Sequence, residues 1–129
     1  FDILVKPLYS DSAKEAGLEE LSEGAIKIHG KTHEILAEKG VTLDSAMKNF
    51  VEYVNSHNPA KTKWKAPIAA GYNIANYDSV ILKRDLIRCG LENPFHPIYF
   101  IDGLQMMWSL FENNKDLSLT WLPDSKHFI

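Results

Sequence analysis

The sequence predicts an α/β domain in which helices lie against the faces of a sheet. Short apolar runs at residues 67–72 and 98–101 have the length of buried strands, and amphipathic helical patterns separate them. This alternation is typical of a sheet covered by helices. The chain has 129 residues, of which 45% are hydrophobic and 24% are charged, so it is long enough for one domain with a core.

The first part of the chain predicts two extended segments before any helix. Residues 1–6 are mostly apolar and are stopped by Pro7, which favours a strand. Residues 8–24 are polar, acidic and punctuated by glycine, and we expect a surface loop there. Residues 25–28 then predict a short extended piece.

Helix ends are marked by capping residues. Thr32 opens one helix and Gly40 closes it, because a threonine side chain accepts a bond from the first turn and glycine suits the C-terminus. Thr42 opens a second helix over residues 43–56, whose apolar residues are spaced three and four apart.

The second half of the chain alternates strands and helices. The strand at 67–72 leads to a helix over 78–89, which Gly90 stops. The strand at 98–101 is ended by Asp102, and a further helix follows over 103–112.

The composition excludes several classes of protein. A formal net charge of −3 argues against binding nucleic acid through bulk positive charge, although metal ions and a few basic residues can still hold a strand locally. Cys89 is the single cysteine, so no internal disulfide forms, and we expect a reducing, cytoplasmic location. No apolar run approaches the length of a membrane span, so we expect no membrane partner.

Both ends of the chain are apolar, whereas domain ends are usually polar. Phe1 opens the sequence and Phe128 and Ile129 close it. We therefore expect one partial domain, residues 1–129, incomplete at both ends.

Two predicted strands end in residues that suit a site. Open α/β sheets place their sites at the carboxyl ends of strands, where Asp78 and Asp102 lie. A carboxylate there can bind a hard cation such as Mg²⁺. The residue type favours a helix cap for either aspartate, more strongly for Asp102, and leaves the metal ligand as the alternative. Residues 61–65, Lys-Thr-Lys-Trp-Lys, form a basic loop that either contacts a nucleic-acid strand or is simply solvated.

Three segments, in order, resemble the DEDD 3′–5′ exonucleases of the DEDDh type, above all the proofreading-subunit and exonuclease I branch. Residues 28–32, preceded by Val-Lys-Pro at 5–7, are similar to the family's Ile-His-Gly-x-Thr turn. Residues 71–73 and then 77–78 resemble its second motif, an asparagine followed after three residues by an aromatic-Asp pair. Residues 100–104 resemble its later strand-to-helix step.

The resemblance implies a ribonuclease H-like fold, a mixed sheet flanked by helices, that hydrolyses single-stranded DNA or RNA from 3′ ends. In that family four carboxylates hold two Mg²⁺ or Mn²⁺ ions about 4 Å apart. Asp78 matches a metal ligand and is the catalytic residue so implied. Tyr77 would pack against the site or the terminal nucleotide, Asn73 would order the loop or bind the strand, and His29 would line the 3′-nucleotide pocket.

The sequence also departs from the family pattern. The first motif, Asp-x-Glu, should precede Val5, and Asp2 is not followed by a glutamate two residues on. The last motif should lie beyond Leu122, and only His127 comes close. The resemblance therefore implies that this piece is inactive alone and belongs with a polymerase or other domain. The alternatives are a degenerate interaction module and an unrelated α/β domain that binds small molecules.

Overall fold

The computed structural model describes residues 1–7 and 22–110, so residues 8–21 of the loop predicted at 8–24 and the helix end predicted at 111–112 lie outside them. Its elements, in chain order, are α1 (Glu23–His29), α2 (His33–Lys39), α3 (Leu43–Ser56), a 3₁₀ turn (Lys63–Lys65), β1 (Ala69–Gly71), α4 (Asp78–Arg88), β2 (Phe100–Asp102) and α5 (Gly103–Leu110). The described part is thus a mixed helix and strand structure.

The two strands form a parallel pair. Ala69 lies opposite Phe100, and Gly71 lies opposite Asp102. The connection between them contains α4, as parallel strands require a crossover that is usually helical. The α/β class is therefore confirmed at this coarse level, and the carboxyl ends of both strands meet at one edge.

The predicted helix caps are confirmed. The hydroxyl oxygens of Thr32 and Thr42 each accept a hydrogen bond from a backbone amide three residues on, at 3.3 Å. Gly40 follows the end of α2 and donates its amide to Leu36. The helix predicted at 43–56 is α3 and has the predicted bounds, because its N-cap and its apolar stripe specify the same segment.

The extended piece predicted at 25–28 is wrong, since these residues lie inside α1. The Ser22 hydroxyl accepts a hydrogen bond from the Ala25 amide at 3.1 Å, and Gly30 ends the helix in the left-handed region at φ 67°. Capping at both ends stabilises a short helix here. The alternation of apolar and polar residues over only four positions is too short to favour a strand instead.

The strand predicted at 1–6 is also wrong in extent. Val5 forms one isolated parallel bridge with Val41. The Lys6 amide donates to Val41 and the Val41 amide donates to Leu4, both at 2.8 Å. The partner is therefore the short link after α2, which is too short to support a strand.

The strands are shorter and more exposed than predicted. The expected buried strand at 67–72 reduces to β1, and the side chain of Ile68 just before it is 48% exposed. The strand predicted at 98–101 is displaced toward its carboxyl end and includes Asp102. Within the described residues the sheet has two strands, so few neighbours are available to cover its apolar side chains.

The core lies among α2, α3 and α4. Its buried apolar residues are Leu36, Ala46, Met47, Val54, Ala66, Ile74 and Leu86. Phe50 extends this cluster by packing against Phe95, with ring centroids 5.9 Å apart. The segment before β2 is thereby attached to the helical layer.

Gly40 permits the N-terminal segment to approach α2 closely. A β-carbon at Gly40 would clash with the carbonyl oxygen of Leu36 and lie 2.9 Å from the amide nitrogen of Lys6. We expect Gly40→Ala to lower the free energy of unfolding by about 1–3 kcal/mol, because the neighbouring backbone must shift. Urea denaturation of the chain measures this.

Gly24→Ala is the matched control for that substitution. The nearest atom to its added β-carbon would be the Ser22 hydroxyl oxygen at 4.0 Å, and alanine favours the helix. Equal stability of the Gly40→Ala and Gly24→Ala variants would contradict the close approach.

Candidate functional site

The carboxyl ends of the two strands are joined through Asp102. This side chain is buried, with 5% of its surface exposed. Its Oδ1 accepts hydrogen bonds from the amides of Asn73 at 2.8 Å and Leu104 at 3.0 Å, and its Oδ2 accepts one from Ala75 at 3.2 Å. One carboxylate thus connects the turn after β1 to the first turn of α5.

Those bonds explain the ionisation of Asp102. Burial by itself would raise its pKa, but hydrogen bonds from the backbone amides of Ala75, Asn73 and Leu104 stabilise the charged form and lower the pKa below its usual value. Of the two alternatives for Asp102, helix cap or metal ligand, its bonds to the first turn of α5 are those of a cap.

Asn73 shapes the turn that follows β1. Its backbone is in the left-handed region at φ 61°, which asparagine tolerates better than most residues. Its carbonyl oxygen accepts bonds from the amides of Asn76 and Tyr77, and its Oδ1 accepts one from the Asn76 side chain at 3.2 Å. Asn73 therefore orders this loop, while the substrate contact implied for it stays a prediction.

Asp78 begins α4 but does not cap it. The N-cap position is Tyr77, and no side-chain capping bond is formed there. The Asp78 side chain is exposed, and within residues 1–7 and 22–110 its carboxylate has no hydrogen bond or ion pair. The cap alternative for Asp78 is therefore wrong, and a carboxylate is left open at the edge where both strands end.

Tyr77 and His29 lie on the surface in different surroundings. Tyr77 precedes Asp78, and 63% of its surface is exposed. His29 is the last residue of α1, and its Nδ1 accepts a hydrogen bond from the Lys31 amide at 2.9 Å. A groove contains Asp78, but His29, Tyr77 and Asn73 are not among its lining residues.

This groove has a volume of about 1100 Å³ and runs between β1, α4 and the segment before β2. Most of its wall is apolar, and its polar lining includes Asp78, Ser79, Lys83, His96 and Tyr99. Sequence reasoning missed His96 and Tyr99, because no motif spacing singles them out. The one sequence feature that could have indicated them was their position in and just before the strand predicted at 98–101.

At the strand ends the described residues place one exposed carboxylate, that of Asp78, and no complete metal site. Among them, no group of three or more histidine, cysteine, aspartate or glutamate side chains is placed to hold an ion. Asp78 fits a single oxygen ligand of a hard cation.

The class defined by fold and site is an α/β domain with an open aspartate at the carboxyl edge of parallel strands. No protein-family model, curated protein or solved structure matches this chain. In residues 22–110, every helix is too short or too polar to cross a membrane. A functional assignment therefore rests on this chain's own residues.

Proposed function

We propose that this chain is part of a ribonuclease H-like 3′–5′ exonuclease domain. It would hydrolyse phosphodiester bonds at the 3′ ends of single-stranded DNA or RNA with two Mg²⁺ or Mn²⁺ ions. The observation that supports this proposal is the difference between the two aspartates that follow the strands. Asp102 is buried and hydrogen-bonded, whereas Asp78 is exposed and has no partner within the described part of the chain.

The position of Asp78 suits a metal ligand. It follows a turn that two bonds to Asp102 and two bonds to the Asn73 carbonyl hold in place, so little conformational freedom is lost when a ligand binds. Its carboxylate oxygens are of the type that Mg²⁺ prefers. The exposed ring of Tyr77 lies next in the chain, where it is available to stack on a nucleotide.

The complete site needs more than the described residues provide. Two metal ions would neutralise charge on the transferring phosphoryl group, and three further carboxylates and a general base would accompany Asp78. For this reason we propose that the 129-residue chain is inactive alone. A polymerase or another domain as covalent partner stays a prediction.

The deciding experiment is digestion of a 5′-labelled single-stranded oligonucleotide by the natural full-length protein. We expect stepwise shortening from the 3′ end with Mg²⁺ or Mn²⁺, and none with EDTA, because no side chain replaces the metal charge. DNA and RNA substrates run in parallel identify the preferred sugar. A 3′-blocked oligonucleotide is the control for direction.

A folded protein that leaves both substrates intact in every metal would reject the exonuclease. It would leave a non-catalytic interaction module as the function of the domain.

A further inference from the structure

A cluster of aromatic side chains lies on the surface near the start of β1. Trp64 comes from the 3₁₀ turn, and His96 and Tyr99 come from the segment before β2. The rings of His96 and Tyr99 are stacked, with centroids 4.8 Å apart and planes inclined by 20°. The Trp64 ring meets His96 edge-on at 6.0 Å. These three residues are called the aromatic patch.

The aromatic patch is exposed and preformed. Trp64 is 58% exposed and Tyr99 is 64% exposed. The His96 ring is held at Nδ1, which accepts bonds from the amides of Ile98 at 3.2 Å and Tyr99 at 3.0 Å, and its backbone amide donates to Pro67 at 2.8 Å. A held stack of rings loses little side-chain freedom when a further ring adds to it.

Three lysines lie close to Trp64 of the aromatic patch in the sequence. Lys61, Lys63 and Lys65 lie within five residues of one another, although the whole chain carries a net charge of −3. The Lys63 ammonium lies 5.2 Å from the centroid of the Trp64 ring. Among the described residues no ion pair involves these lysines, so their charge is not neutralised by a nearby carboxylate.

We propose that the aromatic patch and these lysines bind single-stranded DNA. Bases would stack on the open faces of Tyr99 and Trp64, and the ammonium groups would contact the phosphates, a combination that tolerates any sequence. Stacking rings and ammonium groups make no contact that depends on a 2′-hydroxyl, so the patch accepts DNA without losing any contact. The inference deepens the proposed exonuclease and rests on it for the substrate class.

The aromatic patch is connected to the candidate site through β1. The backbone from Pro67, which bonds to His96, to Gly71 at the strand end spans at most about 14 Å. The apolar groove is lined by His96 and Tyr99 as well as by Asp78. A strand bound at the patch would therefore lie within a few nucleotides of Asp78.

The test is fluorescence anisotropy of a labelled single-stranded DNA oligonucleotide with the 129-residue chain in EDTA. We expect Trp64→Ala and Tyr99→Ala each to weaken binding about tenfold, because each removes a stacking face. Tyr99→Phe retains the ring and should bind within about twofold of the wild type. Trp108→Ala, which removes an exposed tryptophan of α5 outside the aromatic patch, is the matched control and should also bind within about twofold of the wild type.

The charge contribution is tested by salt dependence. Replacing Lys61, Lys63 and Lys65 together by glutamine should reduce the slope of log K against log salt by about 2, at roughly 0.7 per phosphate contact. Lys48→Gln, on the exposed face of α3, should leave the slope unchanged.

Unchanged affinity of Trp64→Ala and Tyr99→Ala, with unchanged far-ultraviolet circular dichroism, would overturn the proposal. Absence of binding by the wild type, or RNA of the same sequence binding tenfold more tightly, would also overturn it. Because the assay contains no metal, it is independent of hydrolysis. If the full-length protein binds DNA but has no nuclease activity, the proposed exonuclease function is rejected and the DNA-binding patch is retained.

Discussion

Asp78→Asn in the natural full-length protein is expected to reduce 3′-end digestion by roughly 100- to 1000-fold or more. Asparagine has the same size but lacks the negative charge that would hold a metal ion. The free energy of unfolding should change by about 1 kcal/mol or less, since the described residues give this carboxylate only its favourable place at the start of α4. Single-turnover digestion and urea denaturation measure the two effects.

Asp85→Asn is the matched control, because it removes the other carboxylate of α4. Asp85 pairs with Arg84 at 2.9 Å and Arg88 at 3.7 Å, so its loss should lower stability while digestion at a permissive temperature is retained. The two variants therefore separate activity from stability. Digestion by Asp78→Asn at the wild-type rate would reject Asp78 as a metal ligand.

Asp102→Ala is expected to have the largest effect on folding. It leaves the amides of Asn73, Ala75 and Leu104 without their acceptor, and burial limits replacement by water. We expect the midpoint of thermal unfolding of the 129-residue chain to fall by roughly 10 °C. Asp102→Asn retains one acceptor oxygen and should lie between the alanine variant and the wild type.

The pH dependence of stability provides an independent check on Asp102. Its pKa in the folded chain is lowered, so its contribution to stability is present above its unfolded pKa of about 3.9. That contribution is lost as the pH falls through the lower folded value. The stability gap between wild type and Asp102→Asn should therefore narrow in acid below about pH 4. A gap that stays constant down to pH 2 would contradict the lowered pKa.

Local capping was the most predictable part of this chain. Thr32 and Thr42 were recognised as N-caps because a hydroxyl next to an apolar helical pattern interacts only with the following turn. The strands at 67–72 and 98–101 were recognised in kind but not in extent. Strand ends depend on pairing partners that are distant in sequence, and β1 and β2 pair over three residues each.

The errors near the N-terminus have the same origin. Residues 25–28 are too few for a periodicity to separate helix from strand, and the bond from Ala25 to Ser22 favours the helix. Residues 1–6 have strand-like composition, but within the described residues their backbone pairs with Val41 alone. Composition indicates what a segment can form, and the available partner decides its length.

The sequence by itself determined the α/β class, the helix caps and the two aspartates at the strand ends. Residue type left a helix cap possible for both aspartates, and the resemblance to the exonucleases was what favoured Asp78 as the metal ligand. The parallel register that places Gly71 opposite Asp102 brings the turn after β1 over one carboxylate and buries it. Asp78 lies beyond that turn and remains open. Only tertiary structure showed that Asp102 is buried and hydrogen-bonded, because two of its bonds come from residues almost thirty positions away in the chain.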